Sequence, residues 1–337
     1  MTSRNPRRCP TDAQGSILRV ARQAMGSQFE VLFNAGQYAE ATEAALAALD
    51  EVDRLEEQLS VFRPTSEMSR INLLAADGPV PVEEGLFELL RLAVELYTQT
   101  GGALDVTAGP LSDVWGFSRR EGKVPDRRAL DEALARVGSD KLELNAENRT
   151  VRFLVPGMKI NLGALGKGHA VDRCAAMLQS QGLANFMIHG GQSSVVARGS
   201  SASGNPVNPQ EASGGWLVGL HDPARHGGRL AEIRLCDRAL GTSGSEKQFF
   251  RHKGRRLSHV LDPRTGWPAE GLLSATVVAP TAALADGLST ALFVMGSDRA
   301  IEFCKARDDL AVVLVPATGS RAEIRSSGFG PGELWSV

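Results

Sequence analysis

Apolar positions recur along the chain with two periods, and the points where the period changes mark its elements. In ILRVARQAMGSQFEVLF, residues 17–33, apolar and polar positions alternate, which predicts two strands broken at Met25-Gly26. Leu46, Leu49, Val52, Leu55 and Leu59 then fall at helical spacing with acidic residues between them, predicting a long amphipathic helix within residues 37–60. A second helix is expected over residues 82–100, stopped by Gly101-Gly102, and a third in RALDEALARVG. KLELN, TVRFLV and KINL read as short strands, and GKGHAVDRCAAMLQSQG returns to helical periodicity as far as Gly182.

The second half is richer in strands. NFMIHGGQSSVVARG predicts two strands around a Gly-Gly turn, and further strands are expected around WLVGL, LAEIRL, KQFFRH, RLSHVL, SATVVA and LAVVLV. Two helices, near residues 281–295 and 298–307, precede the last of these. Strands and helices cluster and do not alternate regularly, so the fold class expected is α+β. Residues 1–16 read as a disordered tail, and GSSASGNPVNPQEASGG, residues 199–215, reads as a mobile insertion within a single domain over 17–337.

Composition narrows the function. Hydrophobic content of 42% and charged content of 23% fit an ordinary globular protein, and a net charge of −2 supplies no cationic field for nucleic acid. Cys9, Cys174, Cys236 and Cys304 are scattered, which indicates neither a zinc site nor a disulfide framework. No stretch reaches the length of a transmembrane segment, and no signal-peptide core follows the N-terminal arginines. The expected location is therefore cytoplasmic, with a periplasmic alternative if a leader precedes this sequence.

Four stretches depart from simple patterning. In NLGALGKGHAVD a strand runs through glycines and Lys167 into a helix, a backbone suited to phosphate or pyrophosphate and equally to a tight structural turn. SHVLDPRTGWP places His259 at the end of a strand before a strong turn, with Leu261 on the same face, as catalyst or as hydrogen-bonded structural residue. GGALDVTAGPLSDVWGF sets Asp105 and Thr107 in an apolar passage, either a satisfied turn or a ligand contact. LADGLSTALFVMG stacks Asp286 and Thr290 at i and i+4 on one helical face. That pair fits half of a Mg²⁺ site, or a helix-packing role with Thr290 bonded back to the backbone.

Together, and in this order, these stretches resemble the ApbE family of flavin transferases over roughly residues 20–315. AMGSQFEV, GALDVTAGPL and NLGALGKGHAVD are similar to three of its segments, and HVLDPRTGWP and ADGLSTALFVMG match its two late signatures almost residue for residue. The resemblance implies an α+β, T-fold-related architecture of two lobes, with mixed or antiparallel sheets, flanking helices and the active site in the cleft between the lobes. It implies Mg²⁺ held by Asp286, Thr290 and the carbonyl of Ala164, and FAD lined by Met25, Phe62, Ala103, Leu104, Asp105, Asn161, Lys167, Val260 and Leu261. His259 matches the histidine implicated in transfer.

The activity implied is Mg²⁺-dependent movement of FMN from FAD to a Thr or Ser hydroxyl of an acceptor protein, with release of AMP. An FAD pyrophosphatase and a non-catalytic flavin-binding protein are the alternatives. Asn161 stands where the family usually has aspartate, and His189 and Gln192 fall in MIHGGQSS where it usually reads Asn-Leu-Gly-Gly-Asn. These departures are expected close to the cofactor.

Overall fold

The alternation at the N-terminus produces a hairpin: β1 (Ile17–Ala24) pairs antiparallel with β2 (Ser27–Asn34), and the break falls at Met25 and Gly26, with φ of 50° and 68°. The computed structural model describes residues 16–119, 121–201, 214–223, 225, 227–245, 249–317 and 324–336. The expected tail and most of the expected insertion, 202–213, lie outside the described residues. The helical runs form α1 (Ala41–Leu59), α2 (Glu67–Leu74), and, after the two-residue β3 (Val80–Pro81), α3 (Glu84–Gln99). Next come α4 (Gly109–Val114), α5 (Arg127–Leu134), β4 (Leu142–Asn145), β5 (Thr150–Phe153) and α6 (Gly166–Ser180). KINL forms only an isolated bridge, Lys159 with Ala108, because Asn72 and Val106 take up the backbone of Ile160 and Asn161.

The later strands are β6 (Phe186–Gly190), β7 (Ser194–Arg198), β8 (Trp216–His221), β9 (Arg229–Leu235) and β10 (Ala239–Gly244). A hairpin, β11 (Phe249–His252) with β12 (Arg255–Ser258), precedes β13 (Leu272–Ala279), α7 (Ala282–Met295) and α8 (Ser297–Lys305). β14 (Ala311–Pro316), β15 (Arg325–Ser327) and β16 (Leu334–Ser336) end the described chain. Strand β12 stops at Ser258, so His259 lies just beyond it and Leu261 pairs separately with Pro268.

One antiparallel sheet, in the order β1-β2-β6-β7-β10-β13-β14-β15, carries the two largest apolar cores on its opposite faces. Phe29, Val31, Ile188, Val277, Val312 and Leu314 face the helices. Leu32, Val195, Leu240, Val278 and Val313 face the sheet β16-β9-β8 through Trp216, Ile233 and Leu235. Burial on both faces explains why LAVVLV is a continuous apolar run rather than an alternating one. The architecture is α+β, as expected. Among the described residues no helix is long and apolar enough to cross a membrane.

Candidate functional site

Helix α7 is buried nearly all round, with Ala282, Ala285, Leu288, Ala291, Leu292 and Phe293 at 0% exposure. It packs on α6, β10, β13, α8 and α3, and small residues set the distances. A Cβ on Gly168 of α6 would stand 2.3 Å from the carbonyl oxygen of Ala282, and one on Gly241 of β10 would stand 2.4 Å from the carbonyl carbon of Ala285. A Cβ on Gly287 itself would meet Leu96, Leu165 and Leu104 within 3.3 Å, so the 103–105 stretch also lies against this helix. The backbones approach this closely because Cβ atoms are missing at the contacts.

The first turn of α7 is capped from outside. Asp172 of α6 accepts the backbone N–H groups of Ala282 and Ala283, each at 2.8 Å. Burial pushes its carboxyl up to about 6 against the opposing effect of these two bonds and of Arg198. The folded-state value lies above the unfolded one, so the associated stability is complete below about pH 4 and is lost as pH rises through 6. Relative to Asp172→Asn, which does not titrate, the wild-type protein is expected to gain about 2 to 3 kcal/mol between roughly pH 7 and pH 4. Urea melts of both proteins at the two pH values measure the gain; equal changes in both would refute it.

One turn further on, Asp286 is 6% exposed. Its Oδ2 accepts the N–H of Gly168 at 2.8 Å and the hydroxyl of Ser194 at 2.6 Å, while among the described residues Oδ1 accepts no hydrogen bond. Burial pushes the carboxyl up to about 6, opposed chiefly by the charge of Lys167. In a regular first turn the Gly168 N–H would close onto the carbonyl of Ala164; its diversion to Asp286 leaves that carbonyl without a backbone partner among the described residues. Thr290 lies on the same face, its hydroxyl 2.8 Å from that of Ser243 and 3.3 Å from the Asp286 carbonyl. One carboxylate oxygen, one main-chain carbonyl and one hydroxyl are hard oxygen donors of the kind Mg²⁺ accepts. Among the described residues no three His, Cys, Asp or Glu side chains converge as a metal-binding group.

The remaining expected residues fall into three groups. Asn161 bonds through its N–H to Val106 at 2.7 Å and through its side-chain oxygen to the Gly163 N–H, tying the loop before α6 to the 103–107 stretch. Ala103 and Leu104 are buried there, whereas the Asp105 carboxylate accepts from the Thr107 N–H and hydroxyl and from the Ser139 N–H and hydroxyl. Asp105 therefore braces this stretch, and it borders a cavity of about 300 Å³ with Tyr97, Gly102, Pro263 and Arg264. His259, Val260 and Leu261 are held by the following turn, where Asp262 accepts from the Gly266 and Thr265 N–H groups and pairs with Arg264, and Trp115 donates to the Gly266 carbonyl at 2.7 Å. Met25 lies in the β1–β2 turn, and Phe62, on the loop after α1, is 73% exposed.

Ser194, Ser243, Gly241 and Asp172 enter the site without having been read from the sequence. Only Asp172 carries a visible signal, a carboxylate within the helix that begins at Gly166. His189 pairs in register with Glu30 and Val195, and Val195 belongs to the core opposite the helices, so His189 points away from the face that carries Asp286. Its Nε2 is 3.3 Å from Glu30. Gln192 occupies the β6–β7 turn at φ 59°, two residues before Ser194.

Comparison with known proteins gives the chain's relatives in sequence and in fold. The ApbE family's sequence profile matches residues 25–314. A Haemophilus influenzae protein named FAD:protein FMN transferase is 35% identical over 279 residues, covering 80% of this chain and 77% of its own length. One of that name from Klebsiella pneumoniae is 34% identical over 290 residues, covering 83% and 78%. Among solved structures, the flavin transferase ApbE from Vibrio cholerae has a TM-score of 0.80, and the ApbE protein of Thermotoga maritima 0.81. Each is 28% identical and covers 93% of this chain and 97% of its own.

Proposed function

The chain belongs to the ApbE family, and from that premise we propose that it is a Mg²⁺-dependent FAD:protein FMN transferase whose acceptor group is a Thr or Ser hydroxyl. The observation that carries the reading is the diverted Gly168 N–H: it seats Oδ2 of Asp286 and, among the described residues, leaves the Ala164 carbonyl without a backbone partner and Oδ1 of Asp286 without a hydrogen bond. Asp286, Thr290 and the Ala164 carbonyl would hold Mg²⁺. When bound, the ion neutralises charge on the FAD pyrophosphate. Lys167 and the glycine turn at 163–168 bind the pyrophosphate, and Met25, Phe62, Ala103, Leu104, Asp105, Asn161, Val260 and Leu261 line the rest of FAD. Asp105 acts there by bracing the chain, since its carboxylate accepts from Thr107 and Ser139.

The acceptor oxygen attacks the FMN-side phosphorus, a new P–O bond forms as the bond to AMP breaks, and His259 takes the hydroxyl proton. Residues 17–337 act as one catalytic unit. Incubation with FAD and Mg²⁺, with and without a Thr-containing acceptor, tests the reading by assaying AMP, free FMN and covalent flavin. Covalent flavin with stoichiometric AMP is expected; equal release of FMN and AMP without covalent flavin indicates a pyrophosphatase, and FAD retained unchanged indicates a binding protein. His259→Asn should slow transfer by about 10²-fold with FAD affinity nearly intact, the usual scale of general acid-base catalysis. Loss of FAD binding in that variant, measured by flavin fluorescence, would make His259 structural.

A further inference from the structure

The hairpin β11–β12 is inserted between two segments of the site. Before it, β10 ends just past Ser243, whose hydroxyl meets Thr290; after it, Ser258 leads directly into His259. One end of the hairpin thus follows the strand that meets Thr290, and the other runs into His259, the base of the proposed reaction. Phe250 and Leu257, paired across it, bury one face against Trp115 and Phe117. Arg256 is fixed just past β10, donating to the Ser245 carbonyl at 2.7 Å and lying 3.8 Å over the ring of Phe249, itself 41% exposed.

The charge on this hairpin has one sign. Residues 249–261 contain Arg251, Lys253, Arg255 and Arg256 and no Asp or Glu, in a chain of net charge −2. Arg251 stands directly opposite Arg256 across the strands. Like charges at opposed positions destabilise a hairpin, so the pairing carries a cost in the isolated protein. Arg251, Lys253 and Arg256 are exposed, and among the described residues none of the three makes an ion pair. Some exposed arginines elsewhere, such as Arg54, Arg127 and Arg128, are matched to Glu51, Asp131 and Glu132, whereas Arg136 and Arg299 make no ion pair among the described residues but stand singly, not clustered as on this hairpin.

We infer that β11–β12 is an electrostatic docking surface for an acidic segment of the acceptor protein, holding the hydroxyl-bearing residue beside His259. The inference rests on the transferase reading. A protein of net negative charge repels an acidic partner at long range, and a local cationic edge at the site reverses that field where the acceptor must arrive. Four cations on one hairpin fall short of a nucleic-acid surface in a chain of this charge. The pyrophosphate already has Lys167 and the glycine turn before α6, on the far side of β10 in sequence.

The test uses the full chain and a fluorescein-labelled 15-residue peptide with a central Thr flanked by four Asp and Glu, against the same peptide carrying Asn and Gln. Anisotropy at 50 and 300 mM NaCl is expected to show about tenfold tighter binding of the acidic peptide at low salt, shrinking at high salt. Arg251→Glu with Lys253→Glu should abolish the difference and Arg251→Gln with Lys253→Gln should reduce it, with FAD affinity unchanged in both. Equal binding of the two peptides by the wild-type chain overturns the inference. So does a fall in FAD affinity in the variants, which gives the hairpin to FAD, and so does capture of the wild type by phosphatidylserine vesicles without preference between the peptides. Failure of the transferase reading registers separately, as absence of AMP release from FAD by the wild-type protein.

Discussion

Asp286→Asn is expected to leave a folded protein that releases no detectable AMP from FAD, a loss of about 10³-fold or more, since stabilising charge through a bound ion is worth several kcal/mol. The amide oxygen replaces Oδ2 as acceptor for the Gly168 N–H and the Ser194 hydroxyl, so the contacts that seat the side chain survive. The amide NH₂ then occupies the position of Oδ1, presenting a donor where the proposed ion would need an acceptor. Because burial disfavours the charged carboxyl here, the neutral side chain should not lower the melting temperature. Asp286→Ala is a poorer probe: it strands two buried donors, each costing about 1 to 3 kcal/mol, and mixes unfolding with loss of chemistry. AMP release measured by chromatography beside a thermal melt separates the two effects. Wild-type AMP release in the folded Asn variant would remove Asp286 from the reaction.

Gly241→Ala is expected to cost about 3 kcal/mol or more, near the upper end for overpacked positions. Its Cβ would fall 2.4 Å from the Ala285 carbonyl carbon and 2.5 Å from the Asp286 nitrogen, and backbone has no rotamer through which to yield. The strand or α7 must move, and either movement separates Ser243 from Thr290. Activity should therefore fall further than the unfolded fraction alone explains. Gly78→Ala is the control: nothing lies within 4 Å of its Cβ position, and its stability should stay within about 0.5 kcal/mol of wild type. Urea denaturation of the two variants decides the matter, and similar midpoints would mean that α7 accommodates a methyl group.

Elements held by their own periodicity were legible in the sequence: the hairpin β1–β2, the helices α1, α3, α6 and α7, and the turn after His259. Strand β10 was not, because ALGTSG reads as turn chemistry. Its extended form depends on β7 and β13 at either side, and Gly241 is explained only by the helix lying across it. KINL erred in the other direction, an apolar run whose backbone partners are a side chain and a loop. In the site, Asp286 and Thr290 could be paired from their spacing within one helix. Ser194 and Ser243 could not, since their value comes from strands brought beside that helix from elsewhere in the chain. The side-chain direction of His189 likewise follows from strand register, which the sequence of β6 alone does not specify.

The hydrogen bonds of the site also bear on the order in which the molecule can assemble. Gly168 and Asp286 are 118 residues apart, Ser194 and Asp286 are 92 apart, and Ser243 and Thr290 are 47 apart. Contacts of such long sequence separation are entropically expensive to close and form slowly. During synthesis, the loop before α6 and strands β6 and β7 emerge well before the helix that supplies Asp286. A nascent chain therefore carries the glycine turn and Lys167 for more than a hundred residues before α7 supplies Asp286 and Thr290, so the hydrogen bonds that join these segments cannot form until that helix has been made.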